Sequence, residues 1–159
     1  MNIEAIGIGS LLAAVFAAGL AILLVAPPRS LASAFLCGGA GHLVRDLSIG
    51  WGVTAIWSTS LGAAVVVLVA VAVLREHVIS PVILISGVLP LGASVAVFNT
   101  IRGLMNISTL EGEALGAAST ALSANLGKVF TTTLAIAMGL AAGMAIVRLV
   151  RRERIWRAA

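Results

Sequence analysis

Charge is scarce in this chain. Of 159 residues, 10% are Asp, Glu, Lys or Arg, 4% are aromatic, and tyrosine is absent. Soluble domains carry about 25% charged residues, so a water-facing surface cannot be assembled from this inventory and a soluble globular fold is excluded. Cys37 is the only cysteine, which rules out a disulfide within the chain. With His42 and His77 as the only histidines, no cluster of zinc-site spacing exists. Metal and redox roles fall away, and no cofactor is expected. A Walker loop would need glycine and a hydroxyl where Leu122 and Val129 flank Gly127-Lys128. Gly-x-Ser-x-Gly, His-Glu-x-x-His and a pair of intramembrane aspartates are also missing, so an enzyme is not expected.

Hydrocarbon is abundant instead. Hydrophobic residues make up 60% of the chain and mean hydropathy is +1.15. Apolar stretches such as Ala13 to Ala26 and Leu61 to Leu74 exceed an ordinary core strand or helix face. The chain reads as an all-α, polytopic membrane helix bundle forming a single transmembrane domain over residues 1–159. The formal charge of +4 does not point to nucleic acid. Five of the ten basic residues, Arg148, Arg151, Arg152, Arg154 and Arg157, crowd the C-terminus after an apolar run. That is the pattern of a cytoplasmic tail under the positive-inside rule.

About five spans are expected, at 5–26, 31–47, 51–74, 80–101 and 115–148, with a basic tail over 148–159. The first lacks a basic leader and runs into Pro27-Pro28 rather than a cleavage site, so it is expected to persist as a span. The second is weak by hydropathy, carrying Gly38, Gly39, Gly41, His42 and Arg45. Topology supports it: five crossings put the N-terminus outside, with Arg29, Arg75 and the arginine tail in the cytoplasm. Four crossings would leave Arg29 and Arg45 in an outer loop, a poorer match. Trp51 and Trp57 suit the outer headgroup boundary. Arg75-Glu76-His77 forms a short inner turn, and Ser80 before Pro81 suits the N-cap of span four. Pro90, flanked by Gly87 and Gly92, removes a backbone donor and clashes with the Ser86 carbonyl, so span four should kink or break. Ser108-Thr109-Leu110-Glu111 fits a capping box that starts the last helix. Lys128 and Arg148 are spaced to mark the outer and inner edges of span five, about 30 Å apart by helical rise. Gly139 and Gly143, extended by Ala135, form a small-residue face suited to close helix contact, including with a second copy of the chain.

Ionisable and strongly polar side chains within spans are costly, and so informative. His42 and Arg45 stand at i, i+3, with Asp46 at i+4 from His42. The guanidinium can bind a carboxylate through paired hydrogen bonds, and the imidazole can exchange a proton near neutral pH. The alternative pairs Arg45 with Asp46 and bonds His42 to a backbone carbonyl. A helix broken at Pro90 can aim freed backbone groups at a substrate, or it is a packing kink. Asn99, Thr100 and Arg102 follow the break, as an exit vestibule or as interfacial solvation. Asn125 and Lys128, at i, i+3, can hold a carboxylate, or the lysine snorkels to the interface. Thr131-Thr132-Thr133 can line a polar path, or bond back to their own helix.

Pro27-x-Arg29, Gly38-x-x-Gly41-His42-x-x-Arg45, Trp57-Ser58-Thr59, Pro90 with the later Ile107-Ser108, and Asn125 occur in an order that resembles the threonine/serine exporter family. The likeness is to the small YjjB-like subunit and runs essentially end to end. It implies a split exporter in which a larger YjjP-like membrane subunit supplies the remaining spans. The substrates it implies are small organic acids such as succinate, or threonine and serine. It places the chain in a bacterial inner (plasma) membrane, N-terminus outside and C-terminus cytoplasmic. One departure stands out. The family's Pro-x-x-Pro-Gly in the broken span is here Pro90-Leu91-Gly92-Ala93-Ser94, so a milder break is expected.

The expected function is therefore a membrane subunit of a secondary exporter of small carboxylates or amino acids. The candidate substrate-binding or proton-handling residues are His42, Arg45, Pro90, Asn99, Arg102, Asn125 and Lys128. The alternative is a non-transporting scaffold that stabilises a transporter partner through its glycine-rich faces.

Overall fold

The computed structural model describes residues 3–74 and 80–158, and the side chains of 4–73, 80–92 and 96–150 among them. Arg75, Glu76 and His77 lie outside the described residues, and the side chains of Arg151, Arg152, Arg154 and Arg157 lie outside the described side chains. The described chain is helical: α1 (Ile3–Leu23), α2 (Pro28–Gly50), α3 (Ala55–Leu74), α4 (Pro81–Val88), a 3-10 turn (Leu89–Leu91), α5 (Ala93–Ile107) and α6 (Gly112–Ala158).

Three of these helices are long and apolar enough to cross a membrane: Glu4–Leu23, Ala55–Val73 and Gly112–Val150. The pair Pro81–Leu91 and Ala96–Ile107 passes as a fourth if it counts as one bent span. The expectation of about five crossings therefore rests on α2. Its 23 residues rise about 34 Å, enough to span. Its glycines, serines and charged triad keep its hydropathy below that of the others.

α2 is central. It packs antiparallel to α1 on one side and to α3 on the other, with α4 and the 3-10 turn against it. α6 lies along α3, and α5 packs on α6. Lipid offers no hydrophobic drive for helices to associate, so contact depends on close backbone approach and on side-chain packing. Gly38 of α2 faces Ala13 and Ala17 of α1, and Gly41 meets Val66 and Gly62 of α3. The core between these helices holds Cys37, Ala63, Val66, Ala70, Ile83, Val88 and Leu91, all buried. Large apolar side chains are exposed instead, as at Leu12, Leu23 and Phe130, which suits a surface that lipid would cover. Trp51 and Trp57 are exposed at the turn between α2 and α3, where an indole belt is favoured.

Several local expectations are revised. Gly139 and Gly143 pack against Ser60, Ala63, Ala64 and Val67 of α3. The face that the sequence offers to a second copy is thus occupied within the chain. Ser80 does take the N-cap position ahead of Pro81, in extended backbone, but its side chain makes no capping hydrogen bond. The capping box at Ser108 does not form. The Ser108 hydroxyl donates to the Met105 carbonyl at 2.7 Å and closes α5, while α6 begins only at Gly112. Ser108 is too far from the first turn of α6 to reach its free amides.

The break in span four is pronounced. α4 and α5 are bent by 67°. Pro90 sits in the 3-10 turn, and Gly92 follows at φ +114°, a left-handed conformation open to glycine and costly for other residues. The bend is made at Pro90 and Gly92, without a proline or glycine at 93 and 94.

A Cβ placed at Gly62 would stand 2.7 Å from the Gly41 carbonyl oxygen and 3.3 Å from the Arg45 Cβ. Gly62→Val is therefore expected to force α2 from α3 and to destabilise the chain by about 1–3 kcal/mol, the usual cost of overpacking. Thermal unfolding in detergent checks this, and an unchanged transition refutes the packing described.

Candidate substrate cavity

The second half of α2 turns three ionisable side chains toward two different neighbours. His42 and Asp46, one helical turn apart, face α1. A Cβ at Gly9 would stand 3.5 Å from His42 Cε1 and 3.8 Å from Asp46 Oδ2, so α1 lies in van der Waals reach of both side chains. Arg45, about 60° around the helix from His42, faces α3 and the broken span. The two candidates therefore do not share one site directly.

Asp46 connects them. Its Oδ1 accepts from Arg45 Nη1 at 3.2 Å, and its Oδ2 lies 3.2 Å from His42 Nδ1. The second contact is electrostatic only, because the alignment misses a hydrogen bond and leaves buried Nδ1 without a partner. Arg45 Nε donates to Thr59 Oγ1 at 3.3 Å. Arg45 Nη2 points at the break, where a Cβ on Gly92 would stand 3.2 Å away. Two of the three guanidinium nitrogens are thus held by protein. The third faces the turn that lines the cavity.

That cavity has a volume of about 420 Å³, within the range of small-ligand sites. Its polar lining comes from four elements: Arg45 of α2, Thr59 of α3, Asn99 of α5, and Asn125, Lys128, Thr131 and Thr132 of α6. Leu91 and Gly92 of the break, with Ala55, Ile56 and Ala96, complete the wall. Asn99 and Lys128 are exposed, so the cavity opens on the side of α5 and α6.

Of the residues singled out from sequence, the fold brings Arg45, Asn99, Asn125 and Lys128 to one cavity. Pro90 contributes by placing Leu91 and Gly92 in the wall and does not line it itself. His42 is outside the cavity, on the α1 face. Arg102 is exposed on α5 and is not part of the lining. Thr100 is buried and donates to the Ala96 carbonyl at 2.8 Å, a bond within its own helix. Thr131 and Thr133 likewise donate to carbonyls of α6, at 2.9 and 2.8 Å, yet Thr131 and Thr132 also line the cavity. Thr59 was missed as a site residue. The run of hydroxyls Ser58-Thr59-Ser60, about one turn into the third span, was the available signal.

The fold and this cavity define a polytopic helical membrane protein with a cation-bearing, ligand-sized site. The family model described as threonine/serine exporter, ThrE, matches residues 9–150, and the chain belongs to that family. No curated protein and no solved structure matches the chain.

Gly92→Ala is expected to be destabilising through its φ of +114°, whatever room the Arg45 side chain can give. A non-glycine residue held in such a conformation costs about 1–3 kcal/mol. The transition in thermal unfolding should fall accordingly, whereas Gly19→Ala, with open space around its Cβ position, should leave it in place.

Proposed function

We propose that the chain is a transporting subunit of a secondary exporter for small dianionic carboxylates of the succinate class. The observation that carries this reading is the charge of the cavity wall. Arg45 and Lys128 contribute two cations, Asn99, Asn125, Thr59, Thr131 and Thr132 contribute neutral polar groups, and no Asp or Glu is among the lining residues. A dicarboxylate finds a cation for each end there. The guanidinium offers planar, charge-assisted hydrogen bonds and the ammonium a mobile point charge. The α-ammonium of threonine or serine would enter between two like charges with no carboxylate to meet it. The family description nevertheless favours amino-acid export as the second reading. That reading needs an acidic group from elsewhere, and the open α5–α6 side is where another subunit would supply it.

The open side also supports a shared site. A cavity half built by one chain fits a split exporter in which a larger YjjP-like membrane subunit closes the wall. With the N-terminus outside and the C-terminus cytoplasmic, the turn between α2 and α3 lies at the outer face, and the cavity sits beneath it. A purely scaffolding subunit has no need for a cationic cavity, because charge at membrane depth is costly unless it is used.

Arg45→Gln removes one charged contact, worth about 1.5–3 kcal/mol, or roughly 10- to 100-fold. Dicarboxylate efflux from cells or proteoliposomes is expected to fall by that order, with the complex assembled in normal amounts. Lys128→Gln should behave likewise. Undiminished efflux in both variants would favour the scaffold, and threonine efflux that survives while dicarboxylate efflux never occurs would favour the second reading.

A further inference from the structure

We propose that Asp46 couples anion occupancy of the cavity to protonation of His42, so that one proton is taken up with each dianion bound. The inference rests on the dicarboxylate reading above and adds the ion that accompanies the substrate.

Charge balance carries the argument. With the cavity empty, Arg45 and Asp46 neutralise each other, and His42 can stay uncharged beside them. A dianion held by Arg45 and Lys128 uses both cations. Asp46 then keeps its negative charge in a part-buried setting without a full partner, which is unfavourable. The nearest group able to supply a positive charge is His42, whose Nδ1 lies 3.2 Å from Asp46 Oδ2 and has no hydrogen-bond partner. A proton from solvent placed on the imidazole restores neutrality: one proton enters, one imidazolium forms, and no bond is otherwise made or broken.

Other charges do not substitute for it. On α2, Arg45 and Asp46 are the charged neighbours of His42. α1 meets His42 through Gly9, and its one charged residue, Glu4, is exposed near its start. α3, α4 and the 3-10 turn carry no ionisable side chain among their described residues. Arg102 of α5 is exposed, and Lys128 of α6 stands across the cavity from α2.

Coupling of this kind is reciprocal: if the anion strengthens proton binding, the proton strengthens anion binding by the same factor. Anion affinity should therefore fall as pH rises through the range where His42 loses its proton. The limiting slope for one linked proton is about tenfold per pH unit.

The test uses the chain assembled with the larger subunit proposed above, in nanodiscs, and isothermal titration with succinate and ethane-1,2-disulfonate. The disulfonate keeps both charges across the pH range, which separates protein titration from ligand titration. Wild-type affinity for it is expected to weaken as pH rises, with a limiting slope of about tenfold per unit. Buffers of different ionisation enthalpy should report close to one proton taken up per anion. His42→Gln and Asp46→Asn should each bind the anion with a flat pH profile and no uptake. Lys128→Gln should bind more weakly with the slope kept, and His77→Gln should match wild type. PH-independent disulfonate binding by the wild type, with no proton uptake, overturns the coupling and leaves the cavity reading standing. If the wild type binds neither anion at any pH, the cavity reading fails and the coupling with it.

Discussion

A guanidinium drawn partly out of water between helices has to be matched by charge and by hydrogen bonds, and the residues around Arg45 are arranged to do so. Arg45 is matched by Asp46 on its own helix and by Thr59 across the α2–α3 crossing. Its stem lies against Gly62, and its free end against Gly92. Each neighbour is small where bulk would displace the arginine and polar where a hydrogen bond is due. The pair is part-buried, so each charge is met by the other and by the water that still reaches it. That matching explains why a span weakened by a glycine run and three ionisable residues still holds the centre of the bundle.

The cavity follows from how the helices meet. Where glycine and alanine face each other, as between α1 and α2 or between α3 and the far half of α6, backbones approach closely and leave no space. Where α5 swings away by 67° at Gly92, it leaves the α2–α3 pair and follows α6 instead. The wedge between the two directions is the cavity. Pro90 and Gly92 therefore act by steering a helix. Their effect on the site is to open room beside Arg45, with Leu91 anchored in the buried core on the other side.

Much of this was legible in the sequence. The apolar runs disclosed the helices, the proline and glycine disclosed the break, and the cost of burying charge drew attention to Arg45 and Lys128. The convergence of Asn99, Asn125 and Lys128 with Arg45 was not legible, because it depends on helix crossings that hydropathy does not encode. His42 illustrates the limit. At i, i+3 it should share a face with Arg45, yet a rotation of about 60° is enough at a crossing to hand the two residues to different neighbours. Gly139 and Gly143 illustrate another. A small-residue face announces close contact but not whose, and here α3 of the same chain fills it. The Ser108 motif failed on register alone, since the helix it was meant to start begins at Gly112.

The packing also divides α6 into unlike halves. From Ala135 onward its buried residues, Ala135, Gly139, Gly143 and Val147, repeat every four positions against α3. Before Ala135 no described residue of the helix is buried, and its neighbour there is α5. Few buried contacts mean low local stability, so the α5–α6 hairpin is the less firmly held part of the molecule. Arg45 and Thr59 belong to the tightly packed body, while Asn99, Asn125 and Lys128 belong to the hairpin. The cavity lies on the boundary between them. A dianion bridging Arg45 and Lys128 would tie the hairpin to the body, and its departure would release that tie. On the function proposed above, the two cations would stand where binding energy can act on the relative position of two parts, which is the condition an alternating-access carrier has to meet.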